Sequence, residues 1–180
     1  NYWDAEHRLE ASDSSLASQY LLKISGLYKR MGDFAQALKC AQDGLRMNEV
    51  LGDRRLQALA LRQVGSVYID MGEPFKALEY GNKSVRIFEE LKMKPQEAAG
   101  LGNLAISYQQ LGDYERALSN YQQSLKGGQD TYNAAEEERN WANLGSLYLQ
   151  MDRTREALPY LERALAMSIE RGTRFSEVRR

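Results

Sequence analysis

A repeat of 40 residues is the feature that most constrains what this chain can fold into. Four segments begin with a tyrosine, carry an apolar residue three positions later, and reach an Ala-Leu pair nine and ten positions later. The copies follow one another without a gap. Their tyrosines are Tyr28, Tyr68, Tyr108 and Tyr148, and their alanines are Ala37, Ala77, Ala117 and Ala157. A short unit cannot bury its own apolar face, so such a period predicts an array of stacked units.

Each unit is predicted to form two helices joined by a tight turn. Before the tyrosine, apolar residues recur three and four positions apart, as in Leu61, Val64 and Tyr68, which is the spacing of one helix face. A glycine then suits the left-handed end of a helix, and an aspartate suits the N-cap of the next one. The glycines are Gly32, Gly72 and Gly112, and the aspartates are Asp33 and Asp113. Small residues recur in the second helix, where we expect close crossings, at Gly44, Ser84, Ser124 and Ala164.

The repeat is irregular at three places. In the fourth unit Asp152 stands in the position of the turn glycine, and Pro159 is expected to bend the second helix. In the third unit Gly127-Gly128 is expected to end the second helix early. We therefore predict a hinge over residues 127–133.

Composition excludes several classes of function. With 24 Lys and Arg against 25 Asp and Glu, the net charge is −1, which argues against a general nucleic-acid surface. No apolar run is long enough to span a membrane. The single cysteine, Cys40, and the single histidine, His7, exclude the common multi-cysteine and histidine-rich metal sites. We expect a soluble, cytoplasmic protein that is not an enzyme and has no metal or cofactor; Cys40 and the tyrosine column are assigned to packing.

The repeat resembles the tetratricopeptide repeat (TPR). The matching residues are Leu144-Gly145 and Tyr148 of the first helix, Val64-Gly65 and Tyr68, the Gly-Asp turn, and the Ala-Leu of the second helix. A period of 40, against about 34 in most TPRs, is similar to a long-helix subclass found in kinesin light chains and LGN-type scaffolds. The resemblance implies an all-α fold, a right-handed superhelix (α-solenoid) of about four helix-turn-helix repeats with partial flanking helices.

This resemblance gives expected boundaries. Residues 1–15 are assigned to the tail of a preceding repeat helix and 173–180 to the start of a further one. The four units are placed at 16–52, 53–92, 93–132 and 133–172. Because the flanking pieces look like parts of further repeats, we expect the sequence to be a segment of a longer array.

The resemblance also implies a binding groove along the first helices of the repeats. An asparagine at the position of Asn103 and Asn143 holds a peptide backbone in related TPRs, and a carboxamide can both donate and accept there. Neighbouring positions contain more basic than acidic side chains, which favours an acidic peptide. The predicted groove residues are Lys23, Arg62, Gln63, Ser66, Asn103, Gln110, Arg139, Asn143 and Ser146.

The function inferred from this groove is that of a scaffold binding a protein or peptide partner, without nucleic acid or membrane. Two alternatives remain open: a ligand- or peptide-sensing regulatory module of a larger signalling or transcription protein, and a non-catalytic appendage of a signalling enzyme. Self-association through exposed terminal helices competes for these surfaces, with apolar residues at Tyr2, Trp3, Leu9, Phe175 and Val178.

Overall fold

In the computed structural model, every secondary-structure element of the described residues is an α-helix. The described backbone covers residues 2–128 and 134–178, and the described side chains cover 13–127 and 137–172. The helices are α1 (Tyr2–Arg30), α2 (Phe34–Leu51), α3 (Arg54–Asp70), α4 (Pro74–Glu90), α5 (Lys94–Gln110), α6 (Tyr114–Gly128), α7 (Ala134–Gln150) and α8 (Thr154–Val178).

The helices pack in consecutive pairs within two compact units. Unit 1 spans Asn1–Met93 and holds the pairs α1–α2 and α3–α4; unit 2 spans Lys94–Arg180 and holds α5–α6 and α7–α8. Within each unit the second pair also packs on the first, through α2 against α3 in unit 1 and α6 against α7 in unit 2. The all-α arrangement of four helical hairpins expected from the sequence is therefore confirmed.

The turns inside the hairpins follow the predicted chemistry. Gly32, Gly72 and Gly112 have φ angles between 70° and 79°, the left-handed region in which a side chain would be strained. The Asp33 and Asp113 carboxylates then accept hydrogen bonds from the backbone N–H of Gln36 and Arg116, each at 3.1 Å. These caps satisfy donors that the first turn of a helix leaves unpaired.

The alanine column lies where the two helices of each hairpin cross. Its four members are at most 2% exposed, which confirms the expectation of tight packing. The tyrosines of the repeat pack against the second helix of their own hairpin. The rings of Tyr68 and Tyr80 stack with centroids 5.6 Å apart, and those of Tyr148 and Tyr160 stack at 5.1 Å. Tyr68 and Tyr148 are 8% and 6% exposed and therefore belong to the core.

In each of two hairpins, a buried serine on the second helix forms a hydrogen bond with the backbone of the first helix. Ser84 donates to the Ala58 carbonyl at 2.9 Å, and Ser124 donates to the Ala98 carbonyl at 2.6 Å, in both cases 26 residues back along the chain. The equivalent residue in the first hairpin is Gly44, where an added Cβ would lie 3.4 Å from the Ser18 carbonyl oxygen. The small side chains of this column are thus required by the closeness of the backbones.

Two helices run across positions at which the sequence predicts repeat boundaries. α1 runs without interruption through residue 15, where the sequence analysis separates a preceding helix from the first repeat. The segment around this position contains no glycine or proline that could stop a helix. α8 likewise continues past residue 172, because Gly172 does not adopt a left-handed conformation.

The irregular positions have separate outcomes. α8 passes through Pro159 as one helix. The described part of α6 reaches Gly128 and so includes Gly127-Gly128, and an early end of this helix stays a prediction. Most of the predicted hinge, residues 129–133, lies outside the described residues.

Replacing Asp152 with glycine is expected to stabilise unit 2. Asp152 has a φ of 57°, so it occupies the left-handed position that glycine fills in the other hairpins. Removing that strain should stabilise the folded state by more than the greater conformational freedom of glycine stabilises the unfolded chain. We therefore expect the free energy of unfolding to rise by about 0.5–1 kcal/mol. Urea denaturation measures it, with Gly112→Asp as the reciprocal control that should destabilise. A loss of stability in Asp152→Gly would contradict this account.

Candidate functional site

A basic cleft lies between the first helices of the two hairpins in unit 1. It encloses about 240 Å³. α1 and α3 each contribute one face to it. Its lining residues are Gln19, Leu22, Lys23, Arg55, Leu56, Leu59, Arg62 and Gln63. The structure thereby brings together three of the predicted groove residues, Lys23, Arg62 and Gln63.

The charges of this cleft all have one sign. Lys23, Arg55 and Arg62 line it, and no acidic side chain does. Lys23 and Arg55 are exposed, and the Lys23 ammonium lies 5.5 Å from the centroid of the Tyr20 ring. Neither Lys23 nor Arg55 forms an ion pair with any of the residues that the structure describes. The cleft is therefore suited to an anionic group.

Two of the predicted groove residues in unit 1 already have partners within the protein. The Gln63 amide donates to the Ser25 hydroxyl at 3.1 Å. Ser66 accepts a hydrogen bond from Lys29 at 2.7 Å, and the same ammonium lies 3.2 Å from the Asp70 carboxylate. The charge of Lys29 is thus neutralised by Asp70.

Arg55 lines the cleft but is absent from the groove residues predicted from the sequence. It lies seven positions before Arg62, a spacing that places two residues on one face of a helix. That spacing is the signal that identifies it. Gln19 and Leu59 are missed as well, although they follow the same periodicity on α1 and α3.

In unit 2 the equivalent first helices, α5 and α7, have no cation at the repeat positions of Lys23, Arg55 and Arg62. Asn103 and Asn143 occupy the repeat positions of Lys23 and Gln63, and both are half-buried. Gln110, Arg139 and Ser146 are exposed. Arg139 is the basic residue of this set, so the concentration of positive charge is a property of unit 1.

A polar chain crosses the face of unit 2 beside these residues. The Tyr121 hydroxyl donates to the Gln109 side-chain oxygen at 2.9 Å, and the Gln109 amide donates to the Gln150 side-chain oxygen at 2.9 Å. Burial raises the pKa of Tyr121 far above its usual value, an effect that the nearby Arg139 charge partly opposes. Tyr121 is therefore a protonated donor at neutral pH, and the chain stays intact.

A larger cleft, of about 620 Å³, lies on another side of unit 1, among α2, α3 and α4. Arg54 and Glu90 pair at 2.6 Å in its wall. It has three basic and two acidic lining residues, so its charge is nearly balanced. The positions equivalent to many of its residues, 40 further along, line a cleft of about 360 Å³ in unit 2, between α5 and α6. This cleft is a product of the repeat and lacks the single-signed charge of the α1–α3 cleft.

The described residues contain no cluster of three side chains capable of holding a metal ion. Over the same ranges, none of the helices has both the length and the apolar character of a membrane span.

Consecutive helical hairpins that recur every 40 residues define a helical-repeat protein. The chain belongs to the tetratricopeptide repeat family, because the model of that family matches residues 16–90 and 96–170. The resemblance stated from the sequence is thus confirmed.

Solved structures of other TPR proteins share this fold. BtubC (BKLC) from P. vanneervenii is 18% identical with a TM-score of 0.74, and the match covers 88% of this chain and 66% of BtubC. Kinesin light chain TPR-like repeats from Podospora anserina are 16% identical with a TM-score of 0.71, over 87% of this chain and 77% of theirs. A Rap protein complexed with Competence and Sporulation Factor is 17% identical with a TM-score of 0.78, over 86% of this chain and 44% of its own.

These similarities concern the fold alone. The chain spans about two thirds of the length of BtubC and less than half of the Rap protein. Among curated protein sequences no match is found.

Proposed function

We propose that this TPR protein is a scaffold that holds an acidic, extended segment of a partner protein along the first helices of its repeats. The observation that carries the proposal is the α1–α3 cleft, where three cations converge without an acidic lining residue. The chain shares its fold with a Rap protein solved in complex with Competence and Sporulation Factor, which agrees with a binding role.

The cleft combines charge with an apolar floor. A carboxylate of the partner accepts charge-assisted hydrogen bonds from Lys23 and Arg55, which are stronger than those between neutral groups. Leu22 and Leu59 lie beside the cations and offer contact to an apolar side chain one or two positions away on the same segment. In unit 2, taken by itself, Asn103 and Asn143 are proposed to contact the backbone of a segment bound there through their amides.

The test is a peptide array probed with the protein and with two variants. In Lys23→Gln/Arg55→Gln the cleft loses two charges, and we expect binding of acidic peptides to weaken about ten- to a hundredfold. Peptides in which Asn and Gln replace Asp and Glu should bind the protein and the variant equally. Lys39→Gln, which removes an exposed cation from α2, is the matched control.

A second variant examines the amides in unit 2. Asn103→Ala/Asn143→Ala is expected to weaken all peptides that bind, whatever their charge, because backbone contacts are independent of side-chain identity. Equal binding of the best peptides to the protein and to both double variants would refute the groove.

Regulation by a bound ligand is the second candidate function. One of the structural neighbours is a Rap protein solved with Competence and Sporulation Factor. Small-angle scattering with and without a peptide from the array distinguishes the two functions. A large change of the curve favours sensing, and an unchanged curve favours a scaffold. A cytoplasmic location stays a prediction.

A further inference from the structure

A polar bridge joins the first helices of the two hairpins at the same repeat positions in both units. In unit 1 it is the ion pair between Lys29 of α1 and Asp70 of α3, at 3.2 Å. In unit 2 the residues two repeats further along are Gln109 of α5 and Gln150 of α7, and the Gln109 amide donates to the Gln150 side-chain oxygen at 2.9 Å. The two bridges have equivalent positions but different chemistry.

The bridge in unit 1 leaves an acceptor on α3. The Lys29 ammonium contacts both the Asp70 carboxylate and the Ser66 hydroxyl, the latter at 2.7 Å. An ionised carboxylate can accept hydrogen bonds but cannot donate them. The α3 side of this bridge therefore ends in a group that offers no donor to a bound chain.

In unit 2 a buried tyrosine fixes the direction of the hydrogen bonds. The Tyr121 hydroxyl lies 2.9 Å from the Gln109 side-chain oxygen and has no other hydrogen-bond partner among the residues that the structure describes. Because buried donors are almost always paired, this oxygen accepts the hydroxyl proton, and the Gln109 amide nitrogen faces Gln150. Gln150 then accepts through its oxygen, so the N–H groups of its exposed amide remain for another acceptor.

Tyr121 distinguishes unit 2 from unit 1. It is 0% exposed, and the residue two repeats earlier, Ala41 on α2, is also 0% exposed. Alanine therefore suffices for packing at this position, whereas tyrosine adds a hydroxyl that reaches Gln109. The far end of this hydrogen-bonded chain lies beside the predicted groove residues of α7. Gln150 follows Asn143 and Ser146 at spacings of four and three, which places the three residues on one side of the helix.

We infer that Tyr121 and Gln109 are positioning residues that orient the Gln150 amide as a donor to a main-chain carbonyl of a segment bound to unit 2, an inference that rests on the function proposed for Asn103 and Asn143. The ligand group is an acceptor because the chain of hydrogen bonds ends in N–H groups. Main-chain carbonyls are acceptors that every extended segment carries, and the neighbouring Asn143 is proposed to contact the same backbone.

The donor is tested by Gln150→Glu, which keeps the oxygen that accepts from Gln109 but replaces the N–H groups with a second acceptor. The probes are uncharged peptides, with Asn and Gln in place of Asp and Glu, whose binding is weakened by Asn103→Ala/Asn143→Ala. We expect Gln150→Glu to bind them about tenfold more weakly, because a hydrogen bond is lost and two acceptors face each other. Gln122→Glu, the same change at an exposed position of α6, is the matched control and should bind like the wild type.

The positioning role is tested by Tyr121→Phe, which keeps the buried ring and removes only the hydroxyl. Binding of the same peptides should weaken about threefold, because the Gln109 amide is no longer held in one orientation. In the Gln150→Glu background the same substitution should have no further effect on binding, because no donor remains to be oriented. A purely structural role of the hydroxyl would weaken binding equally in both backgrounds.

Ester scanning of the peptide tests the main-chain carbonyl. An ester carbonyl is a weaker acceptor than an amide carbonyl, so the peptide bonds of the best uncharged peptide are replaced one at a time. We expect one position at which the ester weakens binding to the wild type but not to Gln150→Glu. The absence of such a position would refute a main-chain contact by Gln150.

The outcomes separate this inference from the proposed function. If no peptide depends on Asn103 and Asn143, the function proposed for unit 2 fails, and the role of Gln150 fails with it. If peptides depend on these asparagines but bind Gln150→Glu as tightly as the wild type, only the Gln150 contact is refuted. If Tyr121→Phe changes binding equally in both backgrounds, or not at all, its positioning role is refuted.

Discussion

Replacing Phe88 with alanine is expected to destabilise unit 1 by about 3–5 kcal/mol, the usual loss for a large buried aromatic side chain. Phe88 is 0% exposed on α4 and belongs to the core cluster that includes Leu45, Leu61 and Ile87. Truncation removes the apolar area of the ring from the core and leaves a cavity that helices on several sides cannot close. Urea denaturation followed by circular dichroism measures the change.

Phe75 provides a matched control for this prediction. It is the same residue type on the same helix, yet it is 75% exposed. Phe75→Ala should therefore change the free energy of unfolding by less than about 0.5 kcal/mol. Equal effects of the two substitutions would mean that Phe88 does not contribute to the core as described.

The fold was predictable because its signals are local. A glycine followed by an N-cap aspartate specifies a turn within a few residues, and the hairpin turns at Gly32-Asp33 and Gly112-Asp113 adopt the expected geometry. Lys92 shows where local signals fail. It adopts a left-handed φ of 55° at the end of α4, although nothing in its residue type favours that conformation.

The candidate site was less predictable because it depends on contacts between helices. Gln63 is engaged by Ser25, and Lys29 by Asp70, which lie 38 and 41 residues apart along the chain. Helix periodicity places each side chain on a face, but it does not give the register of one helix against another. For the same reason the sequence did not show that Lys23 of α1 and Arg55 of α3 would line one cleft.

Equivalent apolar residues of the repeat differ in how deeply they are buried. Ile24, Val64 and Leu144 are equivalent apolar residues, yet Ile24 is 40% exposed and the other two are 0% exposed. The sequence pattern is the same in all three hairpins, so burial depends on the neighbour and not on the residue. Equivalent positions therefore differ in exposure according to whether another hairpin packs on them.

Replacing Ser124 with alanine is expected to destabilise unit 2 by about 2–3 kcal/mol, more than Ser84→Ala destabilises unit 1. Ser84 makes one described side-chain hydrogen bond, to the Ala58 carbonyl, and its loss should cost about 1 kcal/mol. Ser124 donates to the Ala98 carbonyl and also accepts from the Asn140 amide at 2.8 Å. Asn140 is 5% exposed, so without Ser124 its amide remains buried without that acceptor.

A double-mutant cycle with Asn140→Ala isolates this second contribution. Once the Asn140 amide is absent, Ser124→Ala leaves no orphaned donor, and its cost should fall to about 1 kcal/mol, the value expected for Ser84→Ala. The coupling energy of the cycle, measured by urea denaturation, should thus be about 1–2 kcal/mol. Additive effects of the two substitutions would show that the Ser124–Asn140 hydrogen bond contributes nothing. A positive coupling means that the small-residue column does more than allow close packing, since at this position it also satisfies a buried side chain of the next hairpin.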